Sequence, residues 1–123
     1  MITVIVFGLP GSGKSYFAAR LAEMIKASYI SSDQLRKQLY TSRSYTEKEK
    51  LSVYNTMLLK QQEHAGIGKN VVLDATFFKQ GIRQMFINAV TDSSPIVFIE
   101  VRANEPLTRK RLAHKRPYSD ADF

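Results

Sequence analysis

Short apolar runs alternate along the chain with longer segments in which apolar residues recur at every third or fourth position. The apolar runs cover residues 2–7, 29–30, 71–74 and 95–101 and predict strands, the first of them buried on both faces. The intervening segments have the spacing of amphipathic helices. Strands that alternate with helices predict an α/β protein with a parallel sheet covered on both faces.

Two of the predicted helices have a distinct apolar side. The first follows residue 15 and ends near residues 26–28, and its apolar residues at helical spacing are Phe17, Leu21, Met24 and Ile25. The second covers residues 80–90 and has at its inner positions Ile82, Met85, Phe86 and Ala89. We expect these residues to pack against the sheet.

Residue types that are typical of helix ends support the predicted bounds of the other helices. Ser31 and Gln34 match a capping box, and Ser44 and Glu47 match another at the start of a long helix that continues to about residue 65. Gly66 follows that helix and is the residue type that most often ends one. A basic helix is predicted from residue 105 onwards.

The loop between the first strand and the first helix fits the phosphate-binding pattern G-x-x-x-x-G-K-[ST] over residues 8–15. Its glycines permit a close approach of backbone N–H groups to phosphate oxygens, and the helix N-terminus adds its positive dipole end. Lys14 would reach the β- and γ-phosphates, and the Ser15 hydroxyl would ligate Mg²⁺. The residues predicted to bind the nucleotide are Gly8, Pro10, Gly11, Ser12, Gly13, Lys14 and Ser15. The alternative, a glycine-rich turn with a surface lysine, fits the flanking strand and helix poorly.

Two polar residues follow the second predicted strand, at the sheet edge where open α/β sheets bind their ligands. Asp33 can accept the proton of an attacking hydroxyl, and Arg36, one turn later, can hold an anionic group of the acceptor. Both residue types suit the acceptor side of a phosphotransferase. The alternative is that Asp33 only caps a helix and Arg36 is a surface residue.

The third predicted strand ends in an acidic residue. Asp74 can orient a water bound to Mg²⁺, and Thr76, two positions later, can contact a phosphate or the acceptor. The alternative for Asp74 is a role in forming the turn.

A basic segment over residues 109–116 is a candidate lid. Its cations can neutralise charge that develops on the transferred phosphoryl group, and the best candidates are Arg111, Lys115 and Arg116, with Arg116 assigned as the catalytic one. The alternative is a solvated helix face.

Composition and charge further narrow the possible classes of protein and of binding partner. The length of 123 residues suits one domain over 1–123, and the absence of cysteine excludes a disulfide framework or thiolate metal site within it. No apolar run approaches the roughly 20 residues of a membrane span, so we expect no membrane partner and a cytoplasmic location. The 18 Lys and Arg against 11 Asp and Glu give a formal charge of +7, which suits nucleotides or nucleic acid as partners. The alternative is a solvated positive surface.

Three motifs in order carry a family resemblance. They are the loop over residues 8–15, Ser-Asp-Gln-Leu-Arg over residues 32–36 and Val-Leu-Asp-Ala-Thr-Phe over residues 72–77. With them the chain resembles the small P-loop kinases related to polynucleotide kinase and the zeta-type toxins, and especially the predicted-kinase branch of that group. The resemblance covers nearly the whole chain.

The resemblance implies a fold and a set of roles. The fold is a P-loop NTPase three-layer sandwich with a parallel sheet in the order 2-3-1-4-5, and the substrates are ATP and a hydroxyl acceptor. The implied roles are general base for Asp33, binding of a substrate phosphate for Arg36, an arginine of the substrate site for Arg83, and an arginine-bearing lid for the region of Arg111 to Arg116.

Residues 117–123 stand where the family continues into a further helix and a fifth strand. We therefore expect a C-terminally short domain with a sheet of order 2-3-1-4 and an exposed edge beside the fourth strand that invites pairing with another chain.

The hypothesis that these features favour is an ATP- and Mg²⁺-dependent kinase. It would transfer the γ-phosphate to a hydroxyl, with Lys14 on the donor and Asp33 as the base, and a polynucleotide 5′-hydroxyl is the favoured acceptor. The alternatives are a small-molecule or nucleotide-sugar kinase and a non-catalytic nucleotide-binding module that lacks the fifth strand.

Overall fold

Four strands and four helices make up the described part of the chain, which the computed structural model defines for residues 1–9, 12–40, 47–75, 80–89 and 95–102. The strands are β1 (Thr3–Phe7), β2 (Ser28–Ser31), β3 (Val71–Asp74) and β4 (Ile96–Glu100). The helices are α1 (Lys14–Met24), α2 (Ser32–Leu39), α3 (Glu47–Gly66) and α4 (Gln80–Ala89). These bounds agree closely with those predicted from the sequence.

The four strands form one parallel sheet in the order β2-β3-β1-β4. This confirms the predicted α/β class and the 2-3-1-4 order. The register brings the carboxyl ends of the strands into one row, because Asp74 is paired with both Ser31 and Val6, and Val6 is also paired with Ile99. Residues that follow these positions therefore leave the sheet at one common edge.

Alternate residues of the strands pack into two apolar clusters, one on each face of the sheet. On one face, Ile5 and Leu73 pack with Leu35 of α2, Met57 of α3 and Phe86 of α4. On the other face, the strand residues pack against α1, and the members of that cluster are Val4, Val6, Val72, Ala18 and Ala22. Helices thus cover both faces, as the alternation of strands and helices predicts.

The buried side of α1 differs in part from the predicted one, because Leu21 and Ile25 pack partly buried against the sheet as predicted but the other two residues do not. Ala18 and Ala22 face the sheet and are buried, whereas Phe17 and Met24 are exposed, the latter by 77%. The prediction of these two residues as part of the inner side was wrong. Small alanine side chains let the helix backbone lie close to the sheet, so the large side chains at neighbouring positions are directed to its flank.

The inner side of α4 follows the prediction at three of its four residues, the exception being the half-buried Ala89. Phe86 is fully buried, and Ile82 and Met85 are partly buried against the same cluster.

Several predicted features fall outside the described residues. These are Ser44 of the second capping box, the basic helix from residue 105 and the chain end at residues 117–123. Among the described strands, β4 lies at the edge next to β1 and is only partly covered. None of the helices that the structure describes has both the length and the apolar character needed to cross a bilayer.

Phe86 anchors α4, because it is the one residue of that helix buried completely. We expect Phe86→Ala to lower the free energy of unfolding by about 3–5 kcal/mol, through lost apolar burial and the cavity left behind. Urea denaturation measures this. Ile87→Ala is the matched control, because Ile87 is 42% exposed on the same helix, and its effect should stay within about 0.5 kcal/mol. Equal losses in the two variants would contradict the assigned packing.

Candidate active site

A close backbone contact fixes the entrance to the phosphate loop. The N–H of Val101 donates to the carbonyl oxygen of Phe7 at 2.8 Å, which brings the Val101 carbonyl against Gly8. A Cβ atom on Gly8 would lie 2.4 Å from that carbonyl oxygen, closer than any real contact of this kind. Glycine at this position therefore allows the segment after β4 to pack beside the loop.

The phosphate loop leads directly into α1, and no side chain caps the N-terminus of this helix. Gly13 is the N-cap residue of α1 and has φ 89° and ψ 9°, a left-handed conformation that glycine adopts without strain. Because Gly13 has no side chain, the first N–H groups of α1 receive no side-chain cap. Such free N–H groups, together with the helix dipole, favour an anion at this place. Pro10 and Gly11, also predicted to bind the nucleotide, lie outside the described residues.

The hydroxyl of Ser12 is buried in the loop without a hydrogen-bond partner among the described residues. A buried hydroxyl without a partner is costly, since it gives up its hydrogen bonds to water. A phosphate oxygen would supply the missing acceptor. This orphaned group fits the predicted phosphate site.

Lys14 and Asp74 form a buried ion pair across the carboxyl edge of the sheet. The Nζ atom of Lys14 lies 2.9 Å from Oδ1 of Asp74, and the two side chains are 8% and 1% exposed. Both residues are predicted for the site from their sequence motifs, and the fold brings them into direct contact. Each charge compensates the other in a setting where neither alone would be stable.

Tyr29 is a further member of this cluster that the sequence analysis missed. Its hydroxyl donates a hydrogen bond of 2.6 Å to Oδ2 of Asp74. Burial raises the pKa of Tyr29 well above its ordinary value, and the negative charge of Asp74 and the hydrogen bond to it raise the pKa further. The hydroxyl therefore stays protonated and acts as the donor. A signal was present, since Tyr29 and Ser31 alternate on one face of β2.

On the neighbouring strand, Ser31 caps α2. Its hydroxyl accepts a hydrogen bond from the N–H of Gln34 at 3.4 Å, as the predicted capping box requires. Asp33 lies within the first turn and is not the cap, so the alternative that Asp33 only caps the helix is wrong. Nor is Arg36 a surface residue, because it is buried and its Nη2 atom lies 3.8 Å from Oδ1 of Asp33.

Arg83 of α4 lies at the same edge of the sheet. Its guanidinium is 4.8 Å from the centre of the Phe7 ring, within the range of a cation–π contact. Phe7 is the last residue of β1 and directly precedes the loop. The remaining predicted site residues, Thr76, Arg111, Lys115 and Arg116, fall outside the described residues.

A polar cavity of about 340 Å³ lies beside β2, the outer strand. It is lined by β2, by Gln34 and Gln38 of α2, and by Lys60 and His64 of α3. Neither Lys14 nor Asp74 lines it, so this cavity is separate from the phosphate loop.

The donor atoms at the loop suit a hard cation. Ser15 and Asp74 offer a hydroxyl and a carboxylate, the oxygen ligands that Mg²⁺ prefers. Among the described residues there is no group of three or more His, Cys, Asp or Glu that could enclose a metal ion on its own. The set therefore fits Mg²⁺ held by one or two side chains together with phosphate oxygens and water.

The parallel sheet, the glycine loop at its carboxyl edge and the buried lysine define a P-loop domain of the kinase-like type. Residues 4–123 match the family model AAA_33, described as an AAA domain, and the chain belongs to this family. The predicted membership of the P-loop kinase group is thereby confirmed. The uncharacterized protein Rv2004c of Mycobacterium tuberculosis is 33% identical over 85 residues. That match covers 59% of this chain, and the chain spans 17% of the length of that protein.

Solved structures share the fold at low identity. An APS kinase of Mycobacterium tuberculosis in complex with AMPPNP and APS has a TM-score of 0.75 at 19% identity, covering 89% of this chain and 67% of its own. A chain of the Pnkp1/Rnl/Hen1 complex has a TM-score of 0.74 at 22% identity, and the match covers 98% of this chain and 42% of that chain. A sugar kinase from Janibacter sp. HTCC2649 has a TM-score of 0.71 at 15% identity, and the match covers 94% of this chain and 68% of that chain. These likenesses show the fold that the chain shares with kinases.

The unpartnered hydroxyl of Ser12 gives a test of the phosphate site. We expect Ser12→Ala to leave the free energy of unfolding unchanged or to raise it by about 1 kcal/mol, because an unsatisfied buried group is removed. Affinity for ATP should fall about 5-fold, through the loss of one hydrogen bond. Urea denaturation and titration with a fluorescent ATP analogue measure the two effects. Thr56→Ala, a hydroxyl deletion on α3, should leave the affinity unchanged. Unchanged affinity in Ser12→Ala would mean that this hydroxyl does not contact the nucleotide.

Proposed function

We propose that this chain is a single kinase domain over residues 1–123 that transfers the γ-phosphate of ATP to a hydroxyl acceptor. The observation that carries the proposal is the buried contact between Lys14 of the phosphate loop and Asp74 at the carboxyl edge of the sheet. This contact joins a phosphate-binding cation and a candidate metal ligand at one point. Asp33 and Arg36 follow the adjacent strand.

The donor side consists of the phosphate loop. The glycines at positions 8, 11 and 13 and the N–H groups at the start of α1 would surround the phosphates, with Pro10 shaping the turn and Ser12 donating its hydroxyl. Lys14 would leave Asp74 and bind the β- and γ-phosphates. Its charge then moves from one oxygen anion to another within the same buried site.

Ser15 and Asp74 would hold Mg²⁺, Ser15 through its hydroxyl and Asp74 through a bound water. When bound, the ion neutralises charge on the β- and γ-phosphates. Asp74 has one oxygen bonded to Lys14, and this oxygen becomes available when the lysine turns to the phosphates. The side chains thus support a metal role for Asp74 without a change of the sheet.

Asp33 would accept the proton of the attacking hydroxyl. The acceptor oxygen forms a bond to the γ-phosphorus while the bond from that phosphorus to the β,γ-bridging oxygen breaks, and ADP leaves. Arg36 and Arg83 would hold anionic groups of the acceptor, and Thr76 would contact the transferred phosphoryl group or the acceptor. Arg116 would neutralise charge on that group from the lid, with Arg111 and Lys115 as its neighbours.

The acceptor that we favour is the 5′-hydroxyl of a polynucleotide. The formal charge of +7 and the arginine beside Asp33 both suit an anionic acceptor. The likeness to a chain of the Pnkp1/Rnl/Hen1 complex is consistent with it. The likenesses to a sugar kinase and to an APS kinase favour the alternative of a small-molecule or nucleotide-linked acceptor. The other alternative is a nucleotide-binding module without catalysis. Pairing of two chains through the edge of β4 is compatible with each of these functions.

A transfer assay tests the proposed reaction. We expect ATP labelled at the γ-phosphate to label oligonucleotides that end in a 5′-hydroxyl, less so as salt rises because phosphate contacts are screened. The same oligonucleotides bearing a 5′-phosphate are the matched control and should take no label. Label on sugars or other small alcohols alone would favour the small-molecule alternative. Binding of Mg²⁺–ATP with no labelled acceptor would favour the non-catalytic module.

The proposed base is tested in the same assay. We expect Asp33→Asn to lower turnover by about 10²- to 10⁴-fold, because the amide cannot accept the proton, while ATP binding is retained. Gln38→Ala, an exposed change later in α2, should leave turnover unchanged. Normal turnover in Asp33→Asn would remove this residue from the mechanism.

A further inference from the structure

Tyr29 reaches the centre of the site from the neighbouring strand. In the register of β2 and β3, Tyr29 is paired with Val72 and Ser31 with Asp74. Tyr29 and Asp74 are therefore diagonal neighbours on one face of the sheet, a separation that a long side chain can span. The hydrogen bond of 2.6 Å is the result.

The two carboxylate oxygens of Asp74 have different partners. Oδ1 accepts from Nζ of Lys14, and Oδ2 accepts from the hydroxyl of Tyr29. In the proposed function, the nucleotide would draw the charge of Lys14 away from Asp74. Tyr29 is a neutral donor on β2 that has no part in binding the phosphates, so its bond to Asp74 would remain.

Tyr29 is joined to the candidate metal site through Asp74 alone. Its hydroxyl is hydrogen-bonded to Oδ2 of Asp74, one of the two residues that would hold Mg²⁺. Tyr29 belongs to neither the phosphate-loop pattern nor the acidic strand end, which is why no motif points to it.

We propose that Tyr29 is a positioning residue that fixes the carboxylate of Asp74 by Oδ2, so that Oδ1 keeps its place and would exchange Lys14 for the water of a bound Mg²⁺ ion. This inference rests on the proposed function. Without the hydroxyl, the carboxylate of Asp74 can rotate about its Cβ–Cγ bond. Rotation turns its oxygens away from the water of a bound Mg²⁺ ion, while the phosphate contacts of the loop stay in place. Donors that orient a metal-binding carboxylate commonly affect metal affinity 10- to 100-fold.

The test is the Mg²⁺ requirement of nucleotide binding, which needs no turnover. Binding of N-methylanthraniloyl-ATP is followed by fluorescence at increasing Mg²⁺ concentration in the wild type and in Tyr29→Phe. We expect the Mg²⁺ concentration for half-maximal binding to rise about 10-fold in Tyr29→Phe. Binding in excess EDTA should change by less than about 2-fold, because the variant leaves the phosphate contacts of the loop in place.

Tyr16→Phe is the matched control. Tyr16 lies on α1 close to the loop but is 62% exposed, and its loss of a hydroxyl should leave the Mg²⁺ requirement unchanged. A thermal melt verifies that each variant is folded. If Tyr29→Phe does not fold, Tyr29→Met removes the same hydroxyl from the same position and takes its place.

The outcomes separate the two proposals. An unchanged Mg²⁺ requirement in a folded Tyr29 variant, with normal binding by the wild type, overturns the positioning role and leaves the kinase proposal intact. A loss of thermal stability with no change in the Mg²⁺ requirement means a structural role only and overturns it equally. Absence of nucleotide binding by the wild type overturns the proposed function and, with it, this inference.

Discussion

The buried ion pair between Lys14 and Asp74 is the interaction on which the arrangement of the site depends. Two opposite charges with almost no exposure are tolerable only when each is well paired and the remaining carboxylate oxygen is hydrogen-bonded. Tyr29 supplies that last bond. Three elements, α1, β2 and β3, are thereby joined at the carboxyl edge of the sheet. In the proposed function, the nucleotide would bind the charge of Lys14 and the metal ion would bind the charge of Asp74.

Close packing of backbone makes this junction possible. Ala18 and Ala22 let α1 approach the sheet, and Gly8 lets the carbonyl of Val101 lie against the loop. Larger side chains at these positions would separate α1 from β3 and lengthen the distance from Lys14 to Asp74. The apolar core and the polar site are thus two results of one packing arrangement. Small residues determine both.

The acceptor side shows how local hydrogen bonding frees residues for other tasks. The hydroxyl of Ser31 accepts a hydrogen bond from the N–H of Gln34 in the first turn of α2, so the carboxylate of Asp33 is not needed as a cap. Asp33 instead pairs with the buried Arg36 at a distance of 3.8 Å. This distance is longer than that of a hydrogen bond. The cap of α2 therefore does not depend on the carboxylate that we propose as the base.

The alternation of strands and helices, their bounds and the place of the glycine loop before α1 could all be predicted from the sequence, because periodicity, caps and motifs are local signals. The pattern predicted the buried side of α1 only in part. Phe17 and Met24 are exposed, whereas Ala18 and Ala22 are buried and Leu21 and Ile25 are partly buried against the sheet. The roles of the site residues stay predictions. Which of these residues are in contact could not be predicted from local signals, because it depends on how the strands pair. Lys14 lies 60 positions from Asp74 and Tyr29 lies 45 from it, so their contacts exist solely because parallel pairing brings β2 and β3 side by side beneath α1.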